Sequence, residues 1–131
     1  MVALDTNTVI HYFKGLGRVA ARLHATPPAE IAVPSVVVHE LELGVLKSDN
    51  PERRRQQLYT LLAHVTVLAL GDGEAKTAAK VRVELESKGL GIGPLDTLIA
   101  GTVLHHSATL VTRNTREFER VEGLKLENWY D

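Results

Sequence analysis

Three carboxylates in this chain stand where a charge is either useful or costly: Asp5, Glu40 and Asp96. Glu40 lies in an expected helix, with Val36, Val37, Leu43 and Gly44 within about 60° of it at about 3.6 residues per turn. A charge on such a face is costly unless it is paired or bound to a cation. Glu42 competes with it, flanked by Val38, Val45 and Leu46 as well as His39. Periodicity prefers Glu40 only slightly, because Gly44 lets a backbone or ligand come close. Asp96 follows Gly93-Pro94 in the first turn of another expected helix, where the dipole favours a carboxylate by roughly 0.3–1 kcal/mol. Ile99, Ala100 and Val103 nevertheless place its face toward the interior. Asp5 ends the apolar run Val2–Leu4, and a plain helix-capping role contributing about 1 kcal/mol accounts for it well.

If three ionised carboxylates converge within about 5 Å, each pair repels by roughly 3 kcal/mol at an effective dielectric of about 20. That is comparable to the whole stability of a small domain. Such a cluster persists only by protonating or by binding a cation. The chain has no cysteine, so the ligands are oxygens or imidazoles, and an all-oxygen set suits Mg²⁺ or Mn²⁺ rather than zinc. The chemistry such a centre does best is phosphodiester cleavage. The six histidines form no HxxxH-type pair, which disfavours an imidazole metal site or a two-histidine ribonuclease. No GxxxxGK[ST], GxGxxG or GxSxG element is present. An aspartyl phosphatase in its commonest form wants a second Asp two residues after the first, and Asn7 occupies that place.

The elements that must position these residues alternate. Val2–Leu4 reads as a buried strand followed by a helix to about Lys14, ended by Gly15 and Gly17. Arg18–Ala25 has the length for a second helix before Pro27-Pro28. Ile31–Val33 reads as a strand entering Pro34-Ser35, with Ser35 placed to cap a helix over about Val36–Lys47. Glu52–Ala63 is helical in pattern, and Val65–Leu70 is a third strand. Gly71-Asp72-Gly73 opens a helix to about Ser87, and Pro94 starts another to about His106. Thr109–Thr112 is a fourth strand, Asn114 to about Arg120 a short helix, and Leu124–Leu126 a short final strand. This alternation predicts an α/β fold in one domain: a mostly parallel sheet of four to five strands flanked by helices on both faces. Ligand sites in such sheets lie outside the carboxyl ends of the strands, where Asp5 and Asn114 fall.

With 131 residues and a formal net charge of −1, the chain fits one domain without a strongly basic field, so any nucleic acid is held locally. Arg53-Arg54-Arg55 forms one basic run. Arg113, Arg116 and Arg120 recur at spacing that would align them on one helical face, although a merely solvated face explains either cluster. The opening Met1-Val2-Ala3-Leu4-Asp5 argues against a secretory signal. The longest apolar runs fall short of the ~20 residues of a membrane span. Together with the lack of cysteine, these features fit a cytoplasmic protein with no membrane contact.

Taken in order, Leu4-Asp5-Thr6-Asn7, Glu40-Leu41-Glu42-Leu43-Gly44, Leu95-Asp96-Thr97-Leu98-Ile99-Ala100 and Thr112-Arg113-Asn114-Thr115-Arg116-Glu117-Phe118 give the chain its likeness. It resembles a PIN domain, and more narrowly the VapC-type toxins of bacterial or archaeal toxin–antitoxin pairs. The likeness spans nearly the whole chain, residues 1–131, and is most particular from Asn114 to Trp129. It implies a Mg²⁺- or Mn²⁺-dependent endoribonuclease with Asp5 and Asp96 as principal metal ligands. Glu40, chosen over Glu42, is the third acid, and Asn114 completes the catalytic set. Thr6 would orient Asp5 or contact phosphate, a role that helix capping explains equally well. Thr112 and Glu117 are supporting residues, and Arg113 and Arg116 are candidate RNA contacts. The resemblance further implies a homodimer, inhibited by a VapB-type antitoxin that inserts a segment near the active site and also binds operator DNA. One departure concerns Asn114, which stands where many relatives carry a fourth acid. A neutral amide cannot offset cation charge, which leaves one or two metals open. Glu117 can substitute from the next turn, or the pair can simply form a capping box. The alternative from another class is a catalytically silent PIN-like module that binds a protein partner.

Overall fold

Apolar runs of three or four residues that lead at once into helix-starting residues produce short strands, each feeding a helix. The computed structural model describes residues 1–131. Its elements are β1 (Val2–Leu4), α1 (Thr6–Lys14), α2 (Val19–His24), a 3₁₀ turn (Pro28–Glu30), β2 (Ile31–Pro34), α3 (Ser35–Lys47), α4 (Pro51–Leu62), β3 (Thr66–Leu68), α5 (Asp72–Ser87), α6 (Pro94–His105), β4 (Thr109–Val111), α7 (Thr115–Phe118) and β5 (Lys125–Glu127). The strands form one sheet in the order β3-β2-β1-β4-β5. All four pairings are parallel, Ala3 lying opposite Ala32 on one side and Leu110 on the other.

Successive strand residues face opposite sides of a sheet. Ala3 and Leu4 of β1 are both fully buried, as are Leu110 and Val111 of β4. Helices therefore cover both faces, as a parallel sheet requires. A continuous core of 26 buried residues runs through the sheet and the helices around it. The outer strands are wet: Thr66 and Val67 of β3 and Lys125 and Glu127 of β5 are exposed. The third strand is thus shorter than the Val65–Leu70 run, because at the sheet edge only Leu68 reaches the core.

Two local details differ from the sequence reading. Ser35 does not cap α3; the N-cap is Pro34, without a side-chain bond. The Ser35 hydroxyl instead accepts the Leu70 N–H at 3.1 Å, tying the start of α3 to the exit from β3. The Pro27-Pro28 segment forms the 3₁₀ turn rather than only stopping α2, proline being at home at a first helical position.

Helix α6 decides where Asp96 lies. It packs on α3, β2 and β4, and most closely on α5. At that crossing a Cβ on Gly101 would come 2.4 Å from the Ala78 Cα, so only glycine allows the approach. No helix is long and apolar enough to cross a membrane.

Candidate active site

After β1 the chain moves to β2 and β3 on one side, then returns to β4 and β5 on the other, so the topology switches between β1 and β4. A crevice at the carboxyl ends is expected there. Asp5 leaves β1 at this point, its N–H donating to Val111 O at 3.1 Å. Its carboxylate Oδ1 accepts the Thr8 N–H at 2.8 Å, capping α1. The cap occupies one oxygen and fixes the side chain in a position only 6% exposed.

Glu40 comes from α3 and is held from across the crevice: the Thr6 hydroxyl donates to Glu40 Oε1 at 2.8 Å. Thr6 therefore orients Glu40, not Asp5. The backbone explains the difference, because Asp5 is the cap residue and Thr6 is the first residue of the helix, free to point away. Asp96 lies in the first turn of α6, half-buried, with no hydrogen-bond donor on its carboxylate. Burial, followed by the charges of Glu117, Glu40 and Asp5, pushes its carboxyl up from 3.8 to about 6. Glu42 is not among the charges that act on it.

The fourth acid arrives from beyond β4. Thr112 is fully buried, and its hydroxyl accepts the Asn114 N–H at 3.0 Å. The Asn114 amide then donates to Glu117 Oε2 at 2.7 Å. The capping box is not formed: Asn114 precedes α7 but makes no side-chain cap bond. Its amide steadies Glu117 instead.

Glu117, Glu40 and Asp5 thus all lie within electrostatic reach of Asp96, and Asn114 joins them through Glu117. None of the four takes part in an ion pair. No three acidic or histidine side chains are closed tightly enough to enclose an ion unaided.

The arginines depart from expectation. Helix α7 has four residues, too few to align Arg113, Arg116 and Arg120 on a shared face. Arg113 precedes it and stacks over the Tyr130 ring, its Cζ 3.5 Å from the centroid. Arg120 follows it and donates to Gly91 O at 3.3 Å. Arg116 is exposed, with no ion-pair partner. Tyr130, which supports Arg113 and packs edge-on against His11 at 4.8 Å, carries no sequence signal beyond being aromatic beside Trp129.

The family model described as "PIN domain" matches residues 2–124. The chain is 42% identical over 102 residues to "Ribonuclease VapC2" of Rickettsia felis, covering 76% of this chain and 74% of the relative. It is 34% identical over 126 residues to "tRNA(fMet)-specific endonuclease VapC" of Shigella flexneri, covering 96% of each. Among solved structures, VapBC2 from Rickettsia felis bound to a DNA fragment from its promoter superposes with a TM-score of 0.91 at 35% identity, covering 98% of this chain and 99% of that one. With this fold and this gathering of acids, the chain belongs to the PIN domain family and, within it, to the VapC ribonucleases.

Proposed function

We propose that this chain is the toxin of a toxin–antitoxin pair, a cytoplasmic endoribonuclease that hydrolyses RNA phosphodiester bonds with the help of Mg²⁺ or Mn²⁺. The observation that carries the proposal is the placement of Glu117, Glu40 and Asp5 around a half-buried Asp96 at the topological switch of the sheet. No basic side chain neutralises Asp96, so a divalent cation is the natural counter-charge. The donor set fits: all oxygen, no sulfur, and partly free. Asp5, Asp96 and Glu40 would hold the ion, with Glu117 as the further acid that Asn114 does not supply. Bound there, the cation would offset the charge of the scissile phosphate and make a water easier to deprotonate.

The chain's own side chains do the positioning. The α1 cap holds Asp5 through Oδ1 and leaves Oδ2 free. Thr6 holds Glu40 through Oε1, leaving Oε2 free to face the ion. Asn114 keeps the Glu117 carboxylate from swinging out to solvent. The proposed partners are an RNA, a VapB-type antitoxin and a second copy of the chain. A complex on operator DNA formed through the antitoxin belongs to the same reading.

Purified chain incubated with tRNA(fMet), the RNA named for the Shigella flexneri relative, tests the proposal. Cleavage is expected with Mg²⁺ or Mn²⁺ and not in EDTA, and is lost in Asp5→Asn and Asp96→Asn with folding retained. Equal cleavage in EDTA would end the metal mechanism. A folded chain that takes up no Mn²⁺ in calorimetry and cuts no RNA would favour a silent binding module.

A further inference from the structure

Between α1, α3 and α4 lies a cavity of about 220 Å³ bounded by Phe13, Lys14, Glu40, Gly44, Arg54 and Leu58. Glu40 also belongs to the acid cluster, so the cavity shares one wall residue with the proposed cleavage site. A larger cleft of about 790 Å³ on the other side of Phe13 contains none of the four acids. On the reading given under Proposed function, we infer that the smaller cavity receives one unpaired nucleotide of the RNA beside the scissile bond. Its base lies against Phe13 over Gly44, and its phosphate is held by Lys14 and Arg54.

Gly44 is the first observation behind this assignment. It sits inside α3, where glycine is the poorest helix former apart from proline. An added Cβ would meet nothing within 4 Å, whereas one at Gly101 collides with Ala78. Neither backbone conformation nor packing demands glycine at position 44. What the missing side chain leaves is empty space in the wall of the cavity.

Charge is the second observation. Four acids near one another at the sheet edge repel a phosphodiester, and a chain of net charge −1 supplies no general attraction. Lys14 and Arg54 line this cavity together with the cluster acid Glu40. Lys14 is in no ion pair, and the Arg54 side chain bonds only the neutral Gln57, at 3.3 Å. Two free cations beside an aromatic face match the two parts of a nucleotide: phosphate for the charges and base for the ring.

The test is fluorescence anisotropy with a labelled single-stranded RNA oligonucleotide of mixed sequence, in EDTA so that no cleavage occurs. RNA affinity is expected to fall from wild type to Gly44→Ala to Gly44→Met, by roughly tenfold at methionine. Mn²⁺ affinity by calorimetry should stay unchanged, and the Tm of Gly44→Ala should rise. Lys14→Gln and Arg54→Gln should each flatten the slope of log affinity against log salt by about 0.7, and Arg54→Lys should restore part of it. Wild-type affinity in Gly44→Met, or unchanged slopes in both charge variants, would overturn the assignment. Should Gly44→Met fail to fold, Gly44→Ala and the charge variants decide the question. A wild type that binds this RNA through the cavity yet cuts none with Mg²⁺ sinks the nuclease reading alone. Cleavage unaffected by Gly44→Met sinks the nucleotide site alone.

Discussion

Removing the charge of Asp96 should make the metal-free protein more stable while disabling its chemistry. In the native state the Asp96 carboxyl moves from 3.8 to about 6. The folded protein therefore holds a proton over a range where the unfolded chain has already released it. Its stability falls as pH rises from about 4 to about 6, and the cost persists above that range. Taken at full strength, the displacement corresponds to about 3 kcal/mol; solvent screening of this half-buried group reduces it to about 1–2 kcal/mol. The neutral amide of the Asp96→Asn variant would carry no charge and escape the cost. In EDTA at pH 8, that variant should melt about 4–8 °C higher than wild type, and the advantage should shrink toward zero as pH falls to about 4. Saturating Mn²⁺ should reverse the order, because ligand binding to the native state stabilises wild type far more than the variant. Thermal melts and urea titrations across pH, with and without the ion, make the measurement. A variant less stable than wild type in EDTA at pH 8, or a difference that ignores pH, would refute the electrostatic account of the site.

Three further outcomes are expected. Thr6→Val removes the 2.8 Å bond to Glu40; single-turnover RNA cleavage should slow roughly 10–100-fold at a stability cost of about 1 kcal/mol, and Thr6→Ser should recover most of the rate. Asn114→Asp turns the donor on Glu117 Oε2, now at 2.7 Å, into a like charge. The metal-free Tm should drop, and calorimetry should show tighter Mn²⁺ binding or a second equivalent. Gly101→Ala forces a Cβ to within 2.4 Å of the Ala78 Cα, so the urea midpoint should fall by an amount equivalent to about 1–3 kcal/mol. Mn²⁺ binding should weaken with it as α6 shifts Asp96.

The element order was readable because its signals are local. Pro94 at the start of α6 and Gly15 after α1, in the left-handed region at φ 66, act through their own backbone chemistry. The candidate site was readable in part. Asp5 and Asp96 follow from strand ends and helix starts, but Glu40 and Glu42 lie on overlapping apolar arcs of one helix. Only tertiary contact separates them: Thr6, 34 residues away in sequence, reaches Glu40. Ser35 shows the same limit, since a residue at a helix start that can cap instead bonds Leu70, brought in by the neighbouring strand. The arginine stripe failed because spacing implies a face only while the helix lasts, and α7 stops after Phe118. Lys14 and Tyr130 gained their significance from what packs beside them, which no periodicity encodes.

The acids that meet at this edge come from residues 5, 40, 96 and 117, spread over almost the full length of the chain. A nascent fragment ending before α6 holds only half of the ligands and none of the assembled centre. Local helices can form early during synthesis, but pairing β1 with β4 closes more than a hundred residues and belongs to the late, global step of folding. On the toxin reading, a chain that stops before α6 is harmless. Danger to the host begins all at once, when the last long-range strand is seated.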